Sequence, residues 1–192
     1  MIRIAVVLNL LAVVLMSFAA AMLLPLGISL VLGDHAELVH AEAMYFTGLS
    51  GGLLWMLTRR AKSELQTRDG FVFVVLVWTV LPAFATLPLL GYLHGLTFTD
   101  AYFEAMSGLT ATGATVLSSL DAMPTSLHLW RCMLQWFGGM GIIVLAVAIL
   151  PLLGVGGMQM YRAETPGPVK DTKLTPRITE TAKALWMVYA SL

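Results

Sequence analysis

Charge is scarce in this chain. Eleven lysines and arginines and eleven aspartates and glutamates make up only 11% of the 192 residues and cancel to a formal net charge of zero, so nothing in the balance points to a nucleic-acid partner. A single cysteine, Cys132, sits in an apolar stretch, which excludes an internal disulfide and a cysteine-based zinc site. Enzyme and nucleotide signatures are missing as well. There is no HExxH, GxGxxG or P-loop and no histidine deep in an apolar run, which argues against an intramembrane hydrolase using Ser107 or Thr112 and against direct binding of ATP or NAD. The histidines His35, His40, His94 and His128 lack ligand spacing, so no metal site is expected of them.

What is abundant is apolar. Hydrophobic residues are 58% of the chain and the mean hydropathy is +0.84, beyond the range of an ordinary soluble domain. Four runs are long enough to cross a bilayer, or nearly so: Ile4 to Leu32, Ala41 to Leu57, Phe71 to Leu93 and Leu127 to Leu153. Arg3 and the Ala19-Ala20-Ala21 stretch give the first run a signal-peptide look. It continues past that point, and we read it as a retained helix. Gly48, Gly51 and Gly52 suit close helix packing on the second run, and Pro82, Pro88 and Pro151 predict kinks in the third and fourth. The twelve methionines and scattered aromatics read as packing and lipid contacts.

The few charges set the orientation. Arg59, Arg60, Lys62 and Arg68 outweigh Glu64 and Asp69 between the second and third runs, which makes that loop cytoplasmic by the positive-inside rule. The segment with Asp34, His35, Glu37, His40 and Glu42 is then outside and the N-terminus is cytoplasmic. The tail from Tyr161 to Lys183, with Arg162, Lys170, Lys173, Arg177 and Lys183 against Glu164, Asp171 and Glu180, is cytoplasmic again.

Between the third and fourth runs lies Thr99 to Thr115, TDAYFEAMSGLTATGAT. Asp100 to Gly108 makes a helix of about 14 Å, half of a bilayer core about 30 Å thick. Thr99 or Asp100 can cap its start and Gly108 can stop it. The chain then continues as Leu109-Thr110-Ala111-Thr112-Gly113-Ala114-Thr115 near mid-membrane depth, where irregular backbone survives only if buried or lining water. Consecutive carbonyls, threonine hydroxyls and a permissive glycine can replace the water around a cation, and the helix C-terminus points its negative end there. SGLTATG is also legible as a plain polar turn. Helix, loop re-entering from outside, and helix back is the hairpin of potassium channels. Asp100, Glu104 and Asp121 either concentrate cations at the outer mouth or serve respectively as cap, support and solvated loop charge. Arg131 and Gln135 lie early in the fourth run, with Arg131 read as interfacial, and Gly138, Gly139 and Gly141 as packing positions.

The sequence TATGAT from Thr110 to Thr115, with MSGL before it, resembles the first pore loop of the Trk/Ktr/HKT superfamily of cation transporters. Trp136 to Pro168, WFGGMGIIVLAVAILPLLGVGGMQMYRAETPGP, is similar to the helix and loop that follow it in TrkH-type potassium uptake proteins. The resemblance implies an all-α polytopic membrane protein, with residues 1–68 a two-helix extension, 69–160 the first helix–pore-loop–helix repeat, and 161–192 a cytoplasmic linker and the start of the next repeat. It implies that Thr110, Ala111, Thr112 and Gly113 line the potassium path with backbone oxygens. Gly113 matches the glycine of potassium-selective members, where some sodium-transporting plant relatives carry serine. Ala111 stands where many close relatives have threonine, a departure of little weight for ion contact because a carbonyl does not depend on its side chain.

By the same resemblance the protein is a homodimer in the bacterial cytoplasmic (inner) membrane, in contact with lipid and with a cytoplasmic ring of nucleotide-binding Trk A-type regulatory subunits. No cofactor is expected, and potassium is the transported ion. One loop cannot surround an ion, so four are needed. Thr181 to Leu192 reads as the beginning of a further apolar helix, which suggests one stretch of a longer chain with four repeats. The competing reading is a membrane scaffold or assembly subunit without transport of its own.

Overall fold

The computed structural model describes residues 3–61, 67–118, 120–149 and 174–191, which are helix, turn and irregular chain with no strand among them. The described residues form α1 (Ile4–Ala21), α2 (Leu23–Leu32), α3 (Glu37–Thr58), α4 (Thr67–Ala85), α5 (Leu87–Tyr92), α6 (Phe98–Leu109), a single 3-10 turn (Leu120–Ala122), α7 (Thr125–Ile149) and α8 (Leu174–Ser191). Two compact units are present, Met1–Gln135 and Trp136–Leu192, and the division falls within α7.

Among the described residues, two segments are long and apolar enough to cross a membrane, Ile4–Leu32 and Arg68–Tyr92. Proline interrupts both. A proline removes the N–H that would bond four residues back and crowds that carbonyl. Pro25 acts on Ala21, and α1 gives way to α2 at Met22, a break that the sequence reading did not anticipate. Pro88 acts on Phe84, and α4 gives way to α5 at Thr86. Pro82, also expected to kink, is carried inside α4; Pro151 lies outside the described residues, as do Lys62, Glu64, Arg162, Lys170 and Lys173. The carbonyl of Ala85, at the second break, accepts a hydrogen bond from Trp130 Nε1 at 3.1 Å. Trp130 is fully buried, and Phe18 of α1 stands against it with ring centroids 5.2 Å apart.

The helix α3 is longer than the expected Ala41 to Leu57. Its 22 residues span about 33 Å and take in Glu37, His40 and Glu42, so the connection from α2 shrinks to residues 33–36. It packs chiefly on α1, and of the three glycines proposed for close packing only Gly51 is tightly confined. A Cβ there would lie 3.0 Å from Met16 Cγ and 3.1 Å from the Ala12 carbonyl oxygen, whereas one at Gly48 would make an ordinary contact and one at Gly52 would meet nothing. Beside it, Asn9 Nδ2 donates to Thr58 Oγ1 at 3.2 Å. At the same end the Arg3 backbone N–H donates to Asp69 at 3.0 Å, tying the start of α1 to α4.

The other end is held by Asp34. Its carboxylate accepts from Ser29 Oγ, from the Ala36 N–H at 3.3 Å and from the Ser126 N–H at 2.9 Å, so one side chain joins the α2–α3 corner to the first turn of α7. His40, fully buried on α3, lies with Nε2 3.1 Å from Ser126 Oγ. Partial burial pushes the Asp34 carboxyl up, but the hydrogen bonds from Ser29, Ser126 and Ala36 outweigh it and hold the group below the usual carboxylate range.

In the second unit, Tyr189 of α8 donates to the Trp136 carbonyl at 3.1 Å and stacks on the Trp136 ring at 5.9 Å. Its hydroxyl occupies the space that a Cβ on Gly139 would need, which accounts for one of the glycines in the GGMG stretch. The helix starts at Leu174, ahead of the expected Thr181.

Gly51→Leu should destabilise the first unit by about 2 kcal/mol, since neither the Ala12 backbone nor the Leu15 Cβ can retreat; a thermal melt in detergent measures it. Asp34→Asn should lower the melting temperature at pH 7 by about 3 °C. A carboxyl depressed on folding stabilises above its unfolded pKa, and that contribution fades as pH falls through the folded value. The gap between wild type and variant should therefore close below about pH 4, and a gap that stays constant with pH would contradict the assignment.

Candidate functional site

The helix α6 begins two residues earlier than its sequence suggested, at Phe98. Thr97, not Thr99 or Asp100, is the cap: Thr97 Oγ1 accepts from the Asp100 N–H at 3.2 Å and donates to Asp100 Oδ2 at 2.7 Å. The hydroxyl thus caps the helix and at the same time engages the Asp100 carboxylate at the helix start. Tyr102 ties α6 to α4 by donating to the Thr79 carbonyl at 3.1 Å. Gly108 permits the approach to α7, since a Cβ on it would sit 3.1 Å from Leu134 Cβ.

Gly108 is not the stop. The helix runs through Leu109 and ends on two hydrogen bonds, Ala111 N–H to the Gly108 carbonyl at 2.8 Å and Thr112 N–H to the Ser107 carbonyl at 2.9 Å, with Ala111 left-handed at φ +52°. That is the two-bond stop usually built on glycine; here alanine fills it, in a region that costs a residue with a Cβ on the order of 1 kcal/mol. Two residues on, Gly113 is again left-handed at φ +74°. The identity of residue 111 therefore acts through the backbone, while its side chain is incidental to any ligand.

The turn leaves the carbonyls of the loop in distinct states. Those of Met106, Ser107 and Gly108 accept from Thr110, Thr112 and Ala111, and that of Ala114 accepts from Ser107 Oγ at 2.6 Å. Among the described residues no donor reaches the carbonyls of Thr110, Ala111, Thr112 or Gly113. The hydroxyls are engaged locally: Thr110 Oγ1 lies 2.8 Å from both the Met106 carbonyl and Thr112 Oγ1. The four residues of the expected ion path thus lie on one exposed loop from residue 110 to 113, and carbonyls, more than hydroxyls, are its available ligands.

Behind the loop stands an ion pair. Glu104 is 4% exposed. One of its carboxylate oxygens accepts from Arg131 Nε at 2.8 Å and from Arg131 Nη2, and the other accepts from the Val116 N–H at 3.1 Å. Glu104 is therefore buried behind the loop and bonded to it through Val116. Arg131, expected from its place in the fourth run to be interfacial, is the partner of Glu104. Asp121 is an exposed charge on the 3-10 turn. A cavity of about 80 Å³ opens beside the pair, lined by Glu104, Ser107, Gly113, Arg131 and Gln135 among others. Ser107, considered from sequence only as a nucleophile, directs its proton to Ala114. Its role was legible in principle, because Glu104 and Ser107 are three residues apart and share a helix face.

Comparison with known proteins bears on this geometry. A family model described as "TrkH: Cation transport protein" matches residues 36–192. The Trk system potassium uptake protein TrkH of Salmonella typhimurium is 53% identical over 176 residues, 91% of this chain and 36% of the relative. TrkH of Vibrio parahaemolyticus is 51% identical over 187 residues, 97% of this chain and 39% of the relative. The crystal structure of the potassium transporter TrkH from Vibrio parahaemolyticus superposes with a TM-score of 0.81, at 43% identity in the structural alignment, and covers 98% of this chain and 37% of that one. The chain spans a little over a third of the length of these relatives. It is an all-helical membrane protein that belongs to the TrkH family of cation transport proteins.

Proposed function

We propose that this chain contributes the first filter loop of a potassium-uptake pore in the bacterial cytoplasmic membrane, as part of a Trk-type system. The observation that carries the reading is the run of carbonyls from Thr110 to Gly113 with no donor among the described residues, between the engaged carbonyls of Met106 to Gly108 on one side and that of Ala114 on the other. A dehydrating cation needs a set of oxygens not already committed to the protein. The left-handed residues 111 and 113 alternate with their neighbours, a backbone course that suits turning successive carbonyls toward one axis. A potassium ion sheds water into these oxygens and moves inward down its electrochemical gradient, each 100 mV of membrane potential contributing about 2.3 kcal/mol per charge. Three further loops complete the ring of oxygens.

In this reading Arg59 and Arg60 lie on the cytoplasmic side with the N-terminus, and the Asp34–Ser126 corner lies outside. Arg3, Asp69 and the Asn9–Thr58 contact fall at the arginine end, which is consistent with it. Residues 1–68 form the extension, 69–160 the first repeat, and 161–192 the linker and the next helix. The transporter works as a homodimer, each protomer with its own pore, on a cytoplasmic ring of nucleotide-binding Trk A-type subunits. Potassium is preferred over sodium because Gly113 holds a left-handed φ that serine adopts only under strain.

In potassium-uptake-deficient cells expressing the full reading frame, wild type should restore rubidium and potassium uptake. Gly113→Ser should reduce the preference for potassium over sodium about tenfold. Absence of rescue, with protein in the membrane and a regulatory subunit co-expressed, would favour the scaffold reading. Ala111→Gly should preserve uptake. Ala111→Pro, which fixes φ near −65° and deletes the N–H bonded to Gly108, should abolish it at a cost of about 3 kcal/mol to the helix stop.

A further inference from the structure

We propose that Glu104 is a positioning residue for the filter, setting through Val116 the place of the outgoing limb and with it the preference among monovalent cations. The inference rests on reading Thr110 to Gly113 as the ion path. Residues 111–116 are exposed, and the cavity of about 80 Å³ lies on the α7 side of the loop. Within this chain, therefore, packed side chains do little to fix the limb, as they would in a close-packed interior.

Among the described residues, two hydrogen bonds tie residues 114–116 to the rest of the fold. Both come from one face of α6: Ser107 Oγ to the Ala114 carbonyl at 2.6 Å, and the Val116 N–H to Glu104 at 3.1 Å. Thr115 bonds only within the loop, accepting from the Leu117 N–H at 3.1 Å.

The carboxylate of Glu104 divides its work. Arg131 takes one oxygen with both Nε and Nη2, and this leaves the other aimed at Val116. A buried carboxylate without a partner is strongly disfavoured, so Arg131 is what allows Glu104 to remain behind the loop as an acceptor. The positions of α6 and α7 thus reach the filter through one side chain. Gly113 immediately precedes the limb, and a shift of Ala114 to Val116 moves the Gly113 carbonyl with it. Discrimination between ions of the same charge depends on the number and placement of such oxygens. A loss of the Glu104 contact should therefore change the ratio in which ions are carried, beyond any change in the amount of protein.

The test measures potassium, rubidium and sodium uptake by the full reading frame in uptake-deficient cells, with membrane-inserted protein quantified. Glu104→Gln has one acceptor oxygen where Glu104 uses two, so it cannot accept from both Val116 and Arg131. Glu104→Asp keeps the charge but is one methylene shorter, drawing the acceptor away from Val116. Each should lower the potassium-to-sodium ratio about tenfold, the scale on which loss of one charge-assisted hydrogen bond reads out. Glu104→Asp also supplies the result where Glu104→Gln does not reach the membrane. Uptake that falls in proportion for all three ions, with the ratio unchanged, would show a purely structural role and overturn the proposal. Wild-type rescue and the Gly113→Ser shift in the same assay report on the pore reading separately, so failure of the strut and failure of the pore are distinguishable.

Discussion

A helix that ends inside an apolar layer must find partners for its last carbonyls, because no water is there to take them. The first unit is arranged around how α6 meets that demand. Folding the chain back through a left-handed Ala111 lets the N–H groups of residues 110 to 112 satisfy the carbonyls of residues 106 to 108. The deficit is thereby moved along the chain, onto the carbonyls that follow residue 108, those of residues 110 to 113 among them. On the reading proposed above, those oxygens are the ones a permeating cation would complete, and the termination of the helix and the creation of an ion path would be one event in the backbone.

Holding that event in place requires α6 and α7 to keep a fixed relation, and the N-terminal helices contribute to it at several depths. Asp34 holds the N-terminus of α7 through Ser126. Phe18 packs on Trp130, whose indole N–H satisfies the carbonyl left at the Pro88 break. At the far end Arg3 meets Asp69. Proline thus has a constructive part: by ending α4 early it frees the Ala85 carbonyl for Trp130, and Trp130 in turn lies one residue before Arg131. The extension α1–α3 is consequently integral to the loop's support, although its residues are far from the loop in sequence.

The apolar runs, the short re-entrant helix and the loop after it were legible from sequence because they depend on hydropathy, length and turn residues. What escaped notice depends on conformation or on distant pairing. Alanine carries no left-handed signal, so the stop was assigned to Gly108 and Ala111 was weighed only as an ion contact. Thr97 and Asp100 do have capping-box spacing, but Thr99 beside them offered an equally good cap on residue type alone. Pro25 lies within an unbroken apolar run from Ile4 to Leu32, where nothing polar marks the break. Glu104 and Arg131 are 27 positions apart, and each alone is legible as a mouth or interface charge; only packing of α6 on α7 turns them into a pair.

That pairing decides what kind of field an ion meets at the loop. Three acidic side chains are placed near it by sequence. Asp100 is engaged with Thr97 at the helix start, and Glu104 is neutralised by Arg131 and turned toward Val116, which leaves Asp121 exposed on the 3-10 turn. In this first unit, then, if Thr110 to Gly113 are the path of a cation as proposed, the groups nearest it are backbone dipoles and not carboxylates. A full negative charge in a low-dielectric setting would hold a monovalent cation too strongly for rapid release. A set of carbonyls attracts it enough to replace its water and still lets it leave. Burying the one carboxylate that lies directly behind the loop, and balancing it with an arginine, is the condition under which those dipoles dominate.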